Sequence, residues 1–384
     1  MRAIGLISTI FAVLTMILFT SRIRAQTESK AAMLDENGVY HLPAFLLPPS
    51  EFTSEEAKHS LIEGYRAASR VRQGEPSLTS ENLLTKEKIL IIRHAADALR
   101  KKSAEDMMRE FPVSVTPQMI AGVQTDIVIP PGGVPSKNAA RILINLHGGG
   151  MIFGARYEGQ MAAIPIASLG GFKVITVDYR MAPEYQFPAA SEDVAKVYRE
   201  LLKRYSPGSI GIYGCSAGAA LTAQSVAWFQ FHDLPNPGAI SLDGGAAVRG
   251  YGDSAYLAGA FMFGIPIYPP NGSDTSSTMA KLYLGSADPK QPLVSPALHP
   301  NVIGKFPPTL IINSTRDPGM SRAVYTHTQL VKAGVEADLH IWEGMGHCFS
   351  LDPHLPESRE AYDVVIKFFD SHLAKSSTHG SGER

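Results

Sequence analysis

The sequence of 384 residues contains only two cysteines and two tryptophans, and no run of lysines or arginines interrupts it. Two cysteines are too few for a disulfide-dense scaffold or for a four-cysteine zinc site. Lysine and arginine together number 35 against 36 aspartates and glutamates, which gives a formal net charge of -1. A protein with this balance lacks the basic stripe that follows nucleic-acid phosphates, so we expect no nucleic-acid partner.

Metal-binding patterns are missing as well. The histidines, cysteines and acidic residues do not show the paired spacing of zinc or calcium sites. No lysine follows the glycine-rich stretch at 148–150, and no dinucleotide-binding pattern surrounds it, which argues against a phosphate cradle. The sequence therefore predicts no metal ion and no cofactor.

What is present is the composition of an ordinary globular protein with one sizeable core. Hydrophobic residues make up 45% of the chain and charged residues 18%. We find no internal repeat, and the polar residues 374–384 are predicted to form a disordered tail. Whether the protein is a monomer or a homodimer is left open.

The N-terminus has the three regions of an export signal. Arg2 is followed by an apolar run from Ala3 to Phe19, and small Ala25 provides a cleavage position. These features predict a signal peptide over residues 1–25 and a secreted or periplasmic protein without a stable membrane partner. The alternative is a membrane anchor, because the apolar run is near the lower limit for crossing a bilayer.

Three patterns divide the remaining chain. Residues 26–112 carry two helical patterns after an extended lead-in, and we expect this segment to contribute to a cap. Strand and helix patterns alternate in 113–246 and again in 300–373, which predicts an α/β fold with a mostly parallel central sheet covered by helices on both faces. Residues 247–299 break the alternation and are too long for a plain connection, so they are interpreted as a cap insertion.

A candidate nucleophile lies in the stretch "YGCSAGA". Ser216 has G-x-S-x-G spacing between a strand pattern and a helix pattern, which is the setting of a nucleophile elbow. Asp317 and His347 follow later strands, in the order Ser, Asp, His, so all three would meet at one edge of the sheet. Taken singly, each residue has a structural alternative: an inert serine in a tight turn, a turn-capping aspartate and a satisfied loop histidine.

Acyl transfer also requires hydrogen-bond donors aimed at a developing oxyanion. The stretch "NLHGGGM" places glycines without side chains at the end of a strand, where their backbone N–H groups can face a cavity. We assign the oxyanion hole to Gly148, Gly149 and Ala217, the last being the residue directly after the candidate nucleophile.

The motifs "HGGG", "VDYRMAPEYQFPAA", "GCSAGA", "SPAL", "FPPTLIINSTRDPG" and "GHCF" closely resemble the hormone-sensitive-lipase-like carboxylesterases, over roughly residues 115–372. The resemblance implies an α/β-hydrolase fold with a helical cap, metal-free ester hydrolysis, and the triad Ser216, Asp317 and His347. Departures from the family pattern are Cys215 for aspartate, Ala219 for glycine and Cys348 for glycine, and an acidic residue often stands near Ser321.

Both cysteines adjoin the candidate triad, since Cys215 precedes Ser216 and Cys348 follows His347. If the serine and histidine lie within hydrogen-bond reach, their neighbours fall within the span of a disulfide. This placement resembles that of tannases and fungal feruloyl esterases, where such cysteines are bonded. We expect the bond, and the alternative is two buried, unpaired thiols.

The expected function is that of a serine carboxylesterase acting on small-molecule esters with short-to-medium acyl or aryl groups. Two alternatives remain: an amidase, deacetylase or lactone hydrolase using the same triad, and a non-catalytic binding protein with the same fold. Apolar side chains near the oxyanion loop and in the cap are expected to contact substrate, although they could equally be cap core: Met151, Phe153, Phe261, Met262 and Phe263.

Overall fold

The computed structural model describes residues 33–34, 36, 39–42, 46–72, 85–263 and 278–374. The predicted signal peptide and residues 375–384 of the predicted tail lie outside these ranges. The chain divides into two units, Met1–Pro49 and Ser50–Arg384. Within the first unit, strand β1 (Met33–Leu34) pairs antiparallel with β2 (Tyr40–His41).

An eight-stranded sheet forms the centre of the second unit, with strand order β10-β9-β8-β7-β5-β6-β4-β3. The strands from β5 to β10 are parallel, and β4 and β3 are antiparallel at one edge. This arrangement confirms the predicted α/β class with a mostly parallel sheet. The strand bounds are β3 Ser114–Ile120, β4 Val123–Ile129, β5 Ile142–Leu146, β6 Lys173–Val177, β7 Ile210–Cys215, β8 Ala239–Asp243, β9 Thr309–Ser314 and β10 Ala337–Trp342.

Helices cover both faces of the sheet. Along β5, Ile142 and Ile144 belong to one hydrophobic cluster, whereas Leu143 between them belongs to the other. Alternate residues of a strand point to opposite faces, so the two clusters lie on the two sides of the sheet. The helix bounds are α1 Glu55–Arg72, α2 Lys86–Glu110, α3 Tyr157–Gly170, α4 Ala189–Leu202, α5 Ala217–Phe231, α6 Asp253–Phe263, α7 Thr278–Leu284, α8 Pro300–Ile303, α9 Met320–Lys332 and α10 Pro356–His372.

Sequence patterns did not predict two of these elements. Helix α3 is apolar on most of its surface and contains Pro165, so it shows neither an amphipathic period nor an uninterrupted helical composition. Strand β3 contains Pro117, a residue that cannot donate to a ladder. The strand tolerates the proline because it lies at the sheet edge and pairs only with β4.

The predicted cap insertion contains α6 and α7, and residues 264–277 within it lie outside the described ranges. In the segment predicted to join the cap, α2 contacts α3 through an ion pair between Arg100 and Glu158. None of the described helices is both long and apolar enough to cross a membrane. The apolar run from Ala3 to Phe19 lies outside that part of the chain.

Candidate active site

Ser216 lies on a sharp turn between β7 and α5. Its backbone has φ 56° and ψ -115°, a strained conformation for a residue with a side chain. Gly214 makes this turn feasible, because a Cβ at that position would lie 2.5 Å from the carbonyl oxygen of Leu146. The serine is thereby presented at the carboxyl end of the parallel strands, as the sequence pattern predicts.

Asp317 and His347 reach the same edge of the sheet from the loops that follow β9 and β10. His347 Nε2 lies 2.8 Å from Ser216 Oγ, and His347 Nδ1 lies 2.8 Å from Asp317 Oδ2. The Asp317 side chain is 1% exposed, and its Oδ1 accepts a 2.5 Å hydrogen bond from the N–H of Gly319. The structure therefore brings the three predicted side chains into one continuous hydrogen-bonded chain.

The electrostatics of the site favour a histidine that can take up a proton. Burial opposes the charged imidazolium, but the neighbouring Asp317 carboxylate outweighs burial and raises the pKa of His347 above its ordinary value. Gly244 packs against this pair with φ 58°, and a Cβ there would lie 3.3 Å from both Asp317 Oδ2 and His347 Cε1. A side chain at Gly244 would therefore disturb the contact between the acid and the base.

Backbone N–H groups surround the serine on its other side. A Cβ on Gly148 would lie 3.3 Å from Ser216 Cβ, which places the glycine loop directly beside the hydroxyl-bearing residue. The N–H groups of Gly148, Gly149 and Ala217 donate to no acceptor within the described part of the chain. Unpaired N–H groups next to a nucleophile can stabilise an oxyanion formed by attack on a carbonyl group.

Buried aromatic contacts hold the glycine loop in place. The hydroxyl group of Tyr179 donates to the carbonyl of His147 at 2.8 Å, and the two rings stack with centroids 4.1 Å apart. Burial lowers the pKa of His147 to about 4, so its ring is neutral at physiological pH. In the neutral ring, Nδ1 lies 2.9 Å from the carbonyl oxygen of Gly148.

Helix α2 supports the same loop from outside. Arg93 Nε donates to the carbonyl of Ile152 at 2.9 Å, and Arg100 forms a 2.7 Å ion pair with Glu158. The Glu158 carboxylate in turn occupies the space beside Gly148. These contacts join residues 58 and 59 positions apart, so no sequence motif indicates them. Sequence reasoning therefore missed them.

The two cysteines are joined as predicted. Cys215 and Cys348 form a disulfide with Cα atoms 6.3 Å apart, across a sequence separation of 133. Because each cysteine is covalently adjacent to a member of the hydrogen-bonded chain, the disulfide connects the turn of Ser216 directly to the loop of His347.

Asp243, at the end of β8, is a site residue that sequence reasoning missed. Its carbonyl oxygen accepts a 2.8 Å hydrogen bond from the N–H of Ser216, and its Oδ2 accepts a 2.5 Å hydrogen bond from Ser350 Oγ. Burial raises the pKa of Asp243 to about 6. The missed signal is the strand-end acid in "SLDGG", which lies at the same sheet edge. Its Ser350 contact gives the histidine loop a second attachment.

The residues predicted to contact substrate have mixed outcomes. Met151 is 1% exposed and packs in the hydrophobic core, whereas Phe153 is partly exposed against that core. The side chains of Phe261, Met262 and Phe263 lie outside the described part of the structure. A substrate-contacting role for these five residues stays a prediction.

Among the described residues, no three histidine, cysteine or acidic side chains converge as an ion site would require. The arrangement around Ser216 combines a hydroxyl nucleophile, a base hydrogen-bonded to it, an acid that orients the base and N–H donors beside them.

Comparison with known proteins shows the family of this chain. Residues 143–351 match the model of a protein family that has the α/β-hydrolase fold. The chain is 30% identical to an acetyl-hydrolase from Streptomyces hygroscopicus over 259 residues, which cover 62% of this chain and 83% of the relative.

Two solved structures are also similar. The crystal structure of an esterase named E25 superimposes with a TM-score of 0.74 and 30% identity, covering 88% of this chain and all of that chain. An esterase from the bacterial hormone-sensitive lipase family superimposes with a TM-score of 0.64 and 25% identity, covering 82% of this chain and 99% of that one.

Proposed function

Because this chain belongs to the α/β-hydrolase family, and within it to the hormone-sensitive-lipase-like carboxylesterases, we propose that it hydrolyses esters with Ser216 as nucleophile, His347 as base and Asp317 as orienting acid. The observation that carries the proposal is the unbroken pair of 2.8 Å contacts from Ser216 through His347 to Asp317. Unpaired N–H groups beside the serine add to it.

In the first step, Ser216 Oγ attacks the ester carbonyl carbon while His347 Nε2 accepts the hydroxyl proton. The negative charge moves to the carbonyl oxygen, where the N–H groups of Gly148, Gly149 and Ala217 stabilise it. When the carbon–oxygen bond to the alcohol breaks, His347 gives its proton to the leaving oxygen. Asp317 stabilises the imidazolium between these two transfers.

In the second step, water attacks the acyl group on Ser216, and His347 accepts a proton from that water. The tetrahedral intermediate collapses, the serine recovers its proton, and the carboxylic acid is released. One water molecule is consumed and one ester bond is broken, so the cycle balances without a cofactor.

A relative of this chain indicates the substrate class. The Streptomyces relative is named an acetyl-hydrolase, which supports esters with short acyl groups as substrates. A purely binding role is disfavoured because the base, His347, is present and contacts the serine. An anilide and a lactone tested beside matched esters would identify amide or lactone hydrolysis if either were the faster reaction.

The pH dependence of kcat/KM is expected to follow His347. Since only the neutral imidazole can accept the serine proton, activity falls as pH decreases through the raised pKa of His347, so the midpoint lies above that of an ordinary histidine. In Asp317→Asn the carboxylate that raises this pKa is gone, so the midpoint moves down and kcat drops by about 10⁴-fold. Initial rates with a neutral ester from pH 4 to 9 measure both effects.

Asp363→Asn is the matched control for this pH experiment, because Asp363 is an exposed carboxylate on α10. Its profile should coincide with that of the unmodified protein. An Asp317→Asn profile with an unchanged midpoint and rate would contradict the role given to the acid.

Gly148→Ala is expected to lower kcat by roughly 100-fold or more, the scale of losing one oxyanion donor. The added Cβ would lie 3.1 Å from the carbonyl of Cys215 and would overlap the Glu158 carboxylate, so the loop must shift away from the serine. Gly64→Ala on α1 is the control, since a Cβ there meets nothing within 4 Å. A Gly148→Ala enzyme with kcat within threefold of normal would remove the loop from the mechanism.

A further inference from the structure

Two arginines near the catalytic residues have no assigned role: Arg322 lies beside Asp317, and Arg249 lies close enough to Arg322 for their charges to repel each other. Arg322 is in the first turn of α9, and Arg249 is in the loop between β8 and α6. Hydrogen bonds hold this loop and the start of α6 against α9: Ser254 N donates to Ser321 Oγ at 3.0 Å, and Ala247 N donates to Thr326 Oγ1 at 3.1 Å. Arg249 is itself fixed through its N–H, which donates to Ser295 Oγ at 2.9 Å.

The position of Arg322 is close to the triad. Its Nη2 lies 3.3 Å from the point that a Cβ on Gly319 would occupy, and Asp317 Oδ1 lies 3.0 Å from the same point. The guanidinium and the carboxylate are therefore neighbours, yet no hydrogen bond or ion pair joins them. The positive charge of Arg322 is also close enough to lower the pKa of His347 slightly against the effect of Asp317.

Neither guanidinium has a partner among the residues that the structure describes. No ion pair or side-chain hydrogen bond includes Arg249 or Arg322, and Arg249 Nε is buried without an acceptor. Burial and the charge of Arg322 together lower the pKa of Arg249 to about 10. Burial also lowers the pKa of Arg322, because it outweighs the attraction of the nearby Asp317 carboxylate, which raises it. Other arginines near the site do have partners, as Arg93 does in Glu184 and Arg100 in Glu158.

A partly buried cation that has no direct ion-pair partner is costly, and a second cation nearby adds to the cost. An anion placed between the two guanidiniums would relieve both, because each can donate two parallel N–H groups to a planar carboxylate. Both residues remain partly exposed, so an anion has access to them.

We propose that Arg249 and Arg322 form a carboxylate-binding subsite beside the catalytic residues, and that the preferred substrates are esters carrying a free carboxylate. This inference rests on the proposed ester hydrolysis and specifies its substrate class. The carboxylate can be on the acyl part or on the alcohol part of the ester, and the two sources are separated by experiment.

The test compares each charged ester with an uncharged counterpart. For the acyl part the pair is 4-nitrophenyl hydrogen adipate and 4-nitrophenyl methyl adipate, and for the alcohol part it is 4-carboxyphenyl acetate and 4-(methoxycarbonyl)phenyl acetate. The quantity compared is the kcat/KM of the charged ester divided by that of its uncharged counterpart. For one of the two pairs, we expect this ratio to be at least tenfold higher in the unmodified enzyme than in Arg249→Gln or Arg322→Gln. Raising the ionic strength should reduce the ratio in the unmodified enzyme.

Lys332→Gln is the control, because Lys332 is an exposed cation at the opposite end of α9 and its replacement changes the net charge equally. Its ratio should equal that of the unmodified enzyme. An equal loss with charged and uncharged esters in the arginine variants would mean that the arginines support Asp317 instead of substrate, which would overturn the proposal.

A second measurement requires no variant and covers the case of a variant that does not fold. Adipate should inhibit hydrolysis of an uncharged ester competitively and at least tenfold more strongly than adipamide, its neutral analogue. Equal inhibition by the two would also overturn the subsite. If the subsite is overturned but the enzyme hydrolyses the uncharged ester and Ser216→Ala does not, the proposed ester hydrolysis is still supported.

Discussion

Ser216→Ala is expected to lower kcat by about 10⁶-fold while leaving the fold intact. Among the residues that the structure describes, the hydroxyl of Ser216 is the nucleophilic group hydrogen-bonded to His347 Nε2, at 2.8 Å, so removing it removes the acyl-enzyme intermediate. The oxyanion donors remain, so the variant is expected to hydrolyse the ester about 10³- to 10⁴-fold faster than the uncatalysed reaction in water. Steady-state rates with a short 4-nitrophenyl ester measure the loss.

Ser225→Ala provides the matched control for this experiment. Ser225 lies on α5, the helix that begins directly after the nucleophile, and its buried Oγ has no hydrogen-bond partner among the described residues. Deleting an unpaired hydroxyl removes no hydrogen bond, so activity should be retained. A Ser216→Ala protein with more than about 1% of normal activity would show that another group performs the attack.

The double variant Cys215→Ala/Cys348→Ala is expected to lose both stability and activity. The disulfide closes a loop of 133 positions, for which the chain-entropy estimate gives a loss of up to about 5 kcal/mol in the free energy of unfolding. Because the bond connects the turn of Ser216 to the loop of His347, its loss also loosens the geometry of proton transfer, and kcat should fall. Urea unfolding monitored by tryptophan fluorescence measures the stability.

Reducing agent separates the bond from the side chains in this experiment. It should destabilise the unmodified enzyme towards the stability of the double variant, and it should leave the double variant unchanged. If the reduced enzyme, with two titratable thiols, unfolds at the same urea concentration as the oxidised enzyme, then the disulfide contributes nothing to stability.

Much of the site could be predicted because its functional residues lie in the loops that follow the ends of strands. Ser216, Asp317 and His347 each follow a strand of the parallel part of the sheet within a few residues, and parallel strands present their carboxyl ends at one edge. The prediction required only the order of strands and helices, which the alternation of patterns supplies. The cysteine pairing followed in the same way, from two residues adjacent in sequence to side chains that must meet.

The remainder depended on contacts that no local pattern encodes. Helix α3 is buried on most sides, so its sequence carries no periodicity that marks it as a helix. The attachment of Asp243 to Ser350 joins residues 107 positions apart through one hydroxyl group. Arg249 and Arg322 appear as ordinary surface charges in the sequence, and only the packing of the loop of Arg249 against α9 reveals that the two charges lie close together, with Arg322 beside Asp317.

Covalent labelling tests the central claim most directly. The enzyme is incubated with a fluorophosphonate, digested, and its peptides are weighed by mass spectrometry. The account predicts one adduct, on Ser216, formed at a rate that falls at low pH as His347 becomes protonated and that collapses in His347→Ala. An adduct on a different residue, or an enzyme that keeps hydrolysing esters without being labelled, would contradict it.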